Sequence, residues 1–155
     1  MNVQPYTQSL DDMFTDTIVV GFFSDELPPK DLTGLLDWRM SGFLSRQLQN
    51  NTLTGAFGEV TLIPINKKIP ARRVLLLGLG EKKGFTTFQA LKIGHTLARQ
   101  IDLLKTTDLS IRIPNACDES RPMETQNKVI EMLKNQALHE HLFVRSVDPK
   151  VVEWL

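Results

Sequence analysis

The sequence predicts an α/β domain of three layers, α/β/α, in which a mainly parallel, mixed sheet is covered by helices on both faces. Three observations carry this. Two aliphatic runs, one inside Asp16–Phe23 and one inside Arg72–Gly80, lack the polar alternation of a half-exposed strand, which is the pattern of strands buried on both faces. Stretches with apolar residues at helical spacing alternate with the strand-like ones. The resulting order is strand, strand, helix, strand, strand, helix, strand, helix, strand, and no repeat or low-complexity tract divides it. The expectation is one domain over residues 1–155.

Met1–Leu10 holds scattered apolar residues and Pro5, enough for an edge strand at most. Asp16-Thr17-Ile18-Val19-Val20-Gly21-Phe22-Phe23 is β-branched and aromatic, a buried strand. The breaker-rich Ser24–Asp31 is a loop. Leu32, Leu35, Leu36, Met40, Phe43, Leu44 and Leu48 recur at helical spacing and predict one amphipathic helix, weakened slightly by Gly42. After a turn at Thr54–Gly58, Glu59–Ile65 reads as a strand, and Pro64 places it near an edge. Asn66–Ala71 is a short hairpin-like link.

The chain is organised around Arg72–Gly84, a charged pair, an aliphatic run read as the central strand, and a glycine-rich turn. A helix follows at once, because Thr86 and Gln89 have the spacing of a capping box. Its expected buried face is Leu91, Gly94, Leu97, Ala98, Ile101 and Leu104. Leu109–Ile113 alternates as a strand and Pro114 ends it. Glu124–Leu138 is a third helix, burying Val129, Ile130, Leu133 and Ala137, and Leu142–Val147 is a last strand. The apolar tail Val151–Leu155, with Trp154, is expected to dock on its own domain, with a subunit interface as the alternative.

Composition narrows the function classes. Hydrophobic residues make up 41% and charged residues 23%, a globular profile. Lys plus Arg and Asp plus Glu each number 18, so no global field favours nucleic acid or an anionic membrane. The apolar runs are too short to span a bilayer, and the N-terminus lacks signal-peptide character. A single cysteine, Cys117, gives no internal disulfide and fits a reducing compartment. The expectation is a cytoplasmic protein.

Asp16-Thr17-Ile18-Val19-Val20-Gly21, Gly55-Ala56-Phe57-Gly58-Glu59 and Arg73-Val74-Leu75-Leu76-Leu77-Gly78-Leu79-Gly80 together resemble the N-terminal domain of the leucyl aminopeptidase family, the cytosol aminopeptidases that carry two metal ions. The helix Ala90–Gln100 and the strand ending Ile113-Pro114 continue the resemblance, which runs in order over residues 16–114. It implies a macro-domain-like fold, and the stretch 124–147 is similar to the closing unit of a macro domain. In that family the metal ligands and catalytic residues lie in a separate C-terminal domain around an Asn-Thr-Asp-Ala-Glu-Gly-Arg motif. This sequence does not contain that motif, so no residue inherits a catalytic role.

In open parallel sheets ligands settle beyond the carboxyl ends of the strands. The lining residues there would include Ser24, Asp25, Gly78, Gly80, Lys82, Gly84 and Asn115. They are the candidates for a nucleotide or ADP-ribose crevice served by glycine amides. The spacing G-x-G-x-x-x-G is one residue longer than the dinucleotide fingerprint, and Asp25, Glu26, Glu81, Asp118 and Glu119 would crowd a phosphate with carboxylates. Plain turn geometry is the favoured reading of these glycines. His139-Glu140-His141 lacks the spacing of a metal site, and carboxylates beside Cys117 discourage its thiolate. No cofactor or metal is expected.

The leading expectation is a stand-alone, non-catalytic domain with an assembly or regulatory role, partnering itself or a separate aminopeptidase chain. The alternatives are a macro-like module that binds or hydrolyses ADP-ribose or a related nucleotide, and a fragment of a full two-metal aminopeptidase. DNA binding, which the family resemblance also raises, is opposed by the balanced charge.

Overall fold

In the computed structural model the described residues are 1–65, 69–116, 120–136 and 141–154, with the side chains of residues 153 and 154 left out. Six strands form one sheet: β1 (Asn2–Tyr6), β2 (Thr15–Phe22), β3 (Val60–Pro64), β4 (Ala71–Gly78), β5 (Asp108–Arg112) and β6 (Phe143–Val147). The helices are α1 (Asp31–Arg39), α2 (Phe43–Gln49), α3 (Thr87–Leu104) and α4 (Glu124–Lys134). Among the described residues, 3-10 segments also lie at Leu10–Asp12 and Pro149–Trp154.

The sheet order is β1-β6-β5-β2-β4-β3. Every neighbouring pair is parallel except β3 with β4. Successive side chains of a strand point to opposite faces, and the uninterrupted runs follow from that. In β4 and just beyond it, Leu75, Leu77 and Leu79 enter a core with Ile93, Leu97 and Val129 from α3 and α4. Val74 and Leu76 enter a second core with Leu32, Leu36 and Leu44 from α1 and α2. An aliphatic residue is needed at every position because both faces are covered.

Strand β4 is not central. It lies between β2 and the antiparallel edge strand β3, and the middle pair is β5 and β2. At the edge, Gly78 donates to the Glu59 carbonyl and Ile65 donates to that of Arg72. Alternation between those two bonds turns position 64 away from β4, so Pro64 sits where its missing N–H costs no ladder bond.

The helix expected over Leu32–Leu48 is two helices. Ser41 and Gly42 take left-handed φ values of 58° and 79°. The Asp37 carboxylate accepts from the backbone N–H groups of Leu44 and Ser45 at 2.8 and 3.1 Å, so α2 has its own cap. The capping box opening α3 forms as its spacing predicts, with Thr86 accepting from the Gln89 amide and the Gln89 side chain accepting from the Thr86 amide. The buried face of α3 is Ala90, Ile93, Gly94, Leu97, Ala98 and Ile101, while Leu91 and Leu104 are half-buried. Helix α4 ends at Lys134, and the Ala137 and Leu138 positions of the expected helix lie outside the described residues. In the C-terminal turn Val151 is buried against the α1 side of the sheet, whereas the side chain of Trp154 and all of Leu155 lie outside the described residues. Among the described residues no helix is long and apolar enough to cross a membrane.

Candidate functional site

Five parallel strands point their carboxyl ends to one side of the molecule, and the connections leaving four of them, β2, β4, β5 and β6, meet there. Between them lies an open crevice of about 390 Å³. Its polar lining is Glu26, Lys30, Asp31, Lys82, Arg112 and Asn115, and its apolar walls are Pro114, Pro122, Pro149 and Val152.

The floor is Arg112, the last residue of β5. The strand alternates apolar and polar residues, yet both faces are buried, so Ser110 and Arg112 face inward beneath α1 rather than water. Arg112 donates to both carboxylate oxygens of Asp31, Nε to Oδ1 at 3.0 Å and Nη2 to Oδ2 at 2.9 Å. Its Nη1 reaches Gln126 Oε1 at 3.2 Å. The same Gln126 oxygen accepts the Ile113 amide, and Gln126 Nε2 donates to Ser146 Oγ and to the Val147 carbonyl. One buried polar network therefore ties the start of α1 to α4 and to the ends of β5 and β6. A charge this buried requires such partners.

The glycine turn is already occupied. The Gly78 amide is spent on Glu59 and the Gly80 amide donates to the Gly55 carbonyl at 2.9 Å. A side chain at position 78 would overlap the Ala56 carbonyl oxygen, so this glycine permits close backbone packing. The amide of Lys82 donates to Asp25 Oδ1 at 2.8 Å, and its ammonium pairs with Glu26 at 3.1 Å. The hydrogen bond from the Lys82 amide is the main reason the Asp25 carboxyl titrates below the ordinary aspartate range, with the Lys83 amide adding to it. The turn thus presents donors to an anion, and that anion is the chain's own carboxylate.

The candidate residues separate accordingly. Lys82 and Asn115 line the crevice, and Ser24 is joined to the Gly80 carbonyl through its amide at 2.8 Å. Asn115 Oδ1 accepts from the Thr125 amide and hydroxyl, acting as a cap for α4 supplied from outside the helix. Gly84, at φ 81°, faces open space. Cys117, Asp118, Glu119, His139 and Glu140 lie outside the described residues. Among the described residues no group of three or more His, Cys, Asp or Glu is placed to hold a metal ion. Sequence reasoning missed Arg112, Asp31 and Gln126. A guanidinium in a strand covered on both faces was the available signal, because it demands a counter-ion somewhere.

A second polar cluster sits at the opposite, amino end of the strands. Arg73 donates to Thr17, Asp16 and Thr106, each at 3.0 Å, joining β4 and β2 to the end of α3. It braces the sheet at the end away from the crevice.

Comparison with known proteins agrees with this architecture. The model of the cytosol aminopeptidase family, N-terminal domain, matches residues 19–137. A probable cytosol aminopeptidase of Cyanothece sp. is 24% identical over 143 residues, covering 92% of this chain and 29% of the relative. The structure of a tomato leucine aminopeptidase mutant superposes with a TM-score of 0.73 at 11% identity, covering 96% of this chain and 32% of that one. A Trypanosoma brucei macrodomain in complex with ADP-ribose superposes with a TM-score of 0.63 at 18% identity, covering 94% of this chain and 63% of its own. At such identities these two structures establish the macro-like fold alone. The chain spans less than a third of the Cyanothece relative and about a third of the tomato enzyme. With the family model matching most of its length, this chain belongs to the cytosol aminopeptidase family, through that family's N-terminal domain.

Proposed function

We propose that this domain is a non-catalytic accessory module that works by association, with itself or with an aminopeptidase catalytic chain. The observation that carries the reading is that donors at the crevice are paired with the chain's own carboxylates. Asp25 accepts the Lys82 amide beyond the glycine turn, and Asp31 neutralises Arg112, the one buried cation on the crevice floor among the described residues. Large apolar side chains stand in water at the same time, with Phe14, Trp38, Phe88 and Leu103 all between 66% and 74% exposed. They stand on separate parts of the surface, Trp38 on α1 and Phe88 and Leu103 on α3, and are available for contact with other proteins. Light scattering of the purified chain, and capture by a separately purified aminopeptidase of the same family, test the reading. An oligomer or a captured complex supports it, and a strict monomer that binds no aminopeptidase overturns it.

A second reading, nucleotide or ADP-ribose binding, is favoured by the place of the crevice at the carboxyl ends of parallel strands and by the fold shared with an ADP-ribose-bound macrodomain. Calorimetry with ADP-ribose and common nucleotides decides it. Heat from the wild-type chain supports this reading, and silence from both the wild type and Asp25→Ala removes it.

A further inference from the structure

We propose that the solvent face of α3 is a docking strip for an acidic segment of a partner protein, an inference that rests on the assembly reading above and supplies its surface. Phe88, Lys92, His95, Arg99 and Leu103 are all exposed and recur at intervals of four, three, four and four. They therefore form one line along the helix, opposite the face that packs on the sheet and α4. Phe88 and Leu103 close the two ends, about 22 Å apart at the usual helical rise. The Lys92 ammonium lies 4.7 Å from the centre of the Phe88 ring, which fixes an apolar anchor and a cation as one unit.

The strip carries the cations Lys92 and Arg99, and the exposed Asp102, three residues beyond Arg99, flanks its far end. Among the described residues Lys92, His95 and Arg99 take part in no ion pair, and Asp102 is the sole carboxylate of α3. The neighbouring α4 behaves differently, with Arg121–Glu124 at 2.9 Å and Lys128–Glu131 at 3.2 Å neutralising its charges locally. A strip of cations between two large apolar side chains has its complement in carboxylates flanked by apolar residues on a partner helix of about four turns.

Other occupants fit less well. A second copy meeting α3 across a two-fold axis would set cations against cations. A bilayer surface needs an apolar face far wider than one line of residues. A duplex needs more phosphate contacts than two cations and a histidine supply, on a chain of zero net charge.

The test uses the full chain, isotope-labelled, titrated with a synthetic helical peptide of roughly 18 residues carrying leucines near both ends and glutamates between them. Amide shifts confined to the α3 strip, with affinity falling about tenfold in Lys92→Glu/Arg99→Glu or when the glutamates become glutamines, support the proposal. No binding, equal binding of the glutamine peptide, or tighter binding of duplex DNA or phosphatidylserine vesicles at the same strip overturns it. Both substitutions are on exposed side chains, and an unchanged thermal melt confirms the fold. An aminopeptidase that binds wild type and the double variant equally sinks the strip while leaving assembly intact. Peptide binding on α3 by a chain that stays strictly monomeric and binds no aminopeptidase keeps the strip and removes the assembly reading.

Discussion

Arg112 clasps Asp31 with two nearly parallel hydrogen bonds, at 3.0 and 2.9 Å, across 81 residues of sequence. The arginine side chain is only 3% exposed, and Asp31 holds its position at a left-handed φ of 60°. Removing one partner of a buried pair strands the other charge, which costs more than removing both. Asp31→Asn, which tolerates the same backbone conformation, should lose about 3 kcal/mol in urea denaturation. Asp31→Asn combined with Arg112→Met should lose less than Asp31→Asn alone. A double variant at least as unstable as the single would show that the arginine matters for packing rather than for its charge.

Asp25 supplies a pH dependence. Its carboxyl is held below the usual aspartate range, first by the Lys82 amide, so the folded chain binds that proton less readily than the unfolded chain. The stability this contributes is present above the unfolded value of about 3.9 and is lost as pH falls through the lower folded value. Carbon-detected titration should place the Asp25 midpoint below that of an unstructured aspartate. In Asp25→Asn, the part of the acid destabilisation owed to this group should vanish.

Much of this architecture was readable from the chain, and what was not shares a physical cause. Both-face burial of β2 and β4 shows as aliphatic residues without alternation, and the start of α3 shows in Thr86 and Gln89, three residues apart. These signals are local. Asp37 capping α2 is nearly so, but an aspartate mid-pattern looks like any solvent-facing helix residue, so the break at Ser41 and Gly42 was hidden. The candidate site depended on distant pairings. Whether the amides of Gly78, Gly80 and Lys82 are free is decided by Glu59, Gly55 and Asp25, which other segments bring in. Strand order also follows from packing, and so the glycine-ended strand turned out to neighbour an edge.

Ser110 offers a test with the opposite sign. It is fully buried in β5, and among the described residues its hydroxyl has no hydrogen-bond partner. An unsatisfied buried hydroxyl carries a desolvation cost that alanine does not, while the volume lost is one oxygen. Ser110→Ala should therefore be neutral or stabilise the chain by about 1 kcal/mol in urea denaturation. A clear loss of stability would mean that the hydroxyl is bound, for instance by an internal water.

Gly94 sets two effects against each other. It lies inside α3, where alanine is favoured over glycine by about 1 kcal/mol on helix propensity alone. A Cβ built there, however, falls 2.6 Å from Met132 Cβ and 2.8 Å from the Val129 carbonyl oxygen. Neither atom is the free end of a side chain, so relief requires α4 to shift away from α3, opening the core that both helices share with the sheet. Overpacking of that kind costs about 1–3 kcal/mol and should outweigh the propensity gain. Gly94→Ala is expected to lower the urea midpoint, and Gly94→Val to lower it further. A stabilised alanine variant would show that the two helices are free to separate without cost.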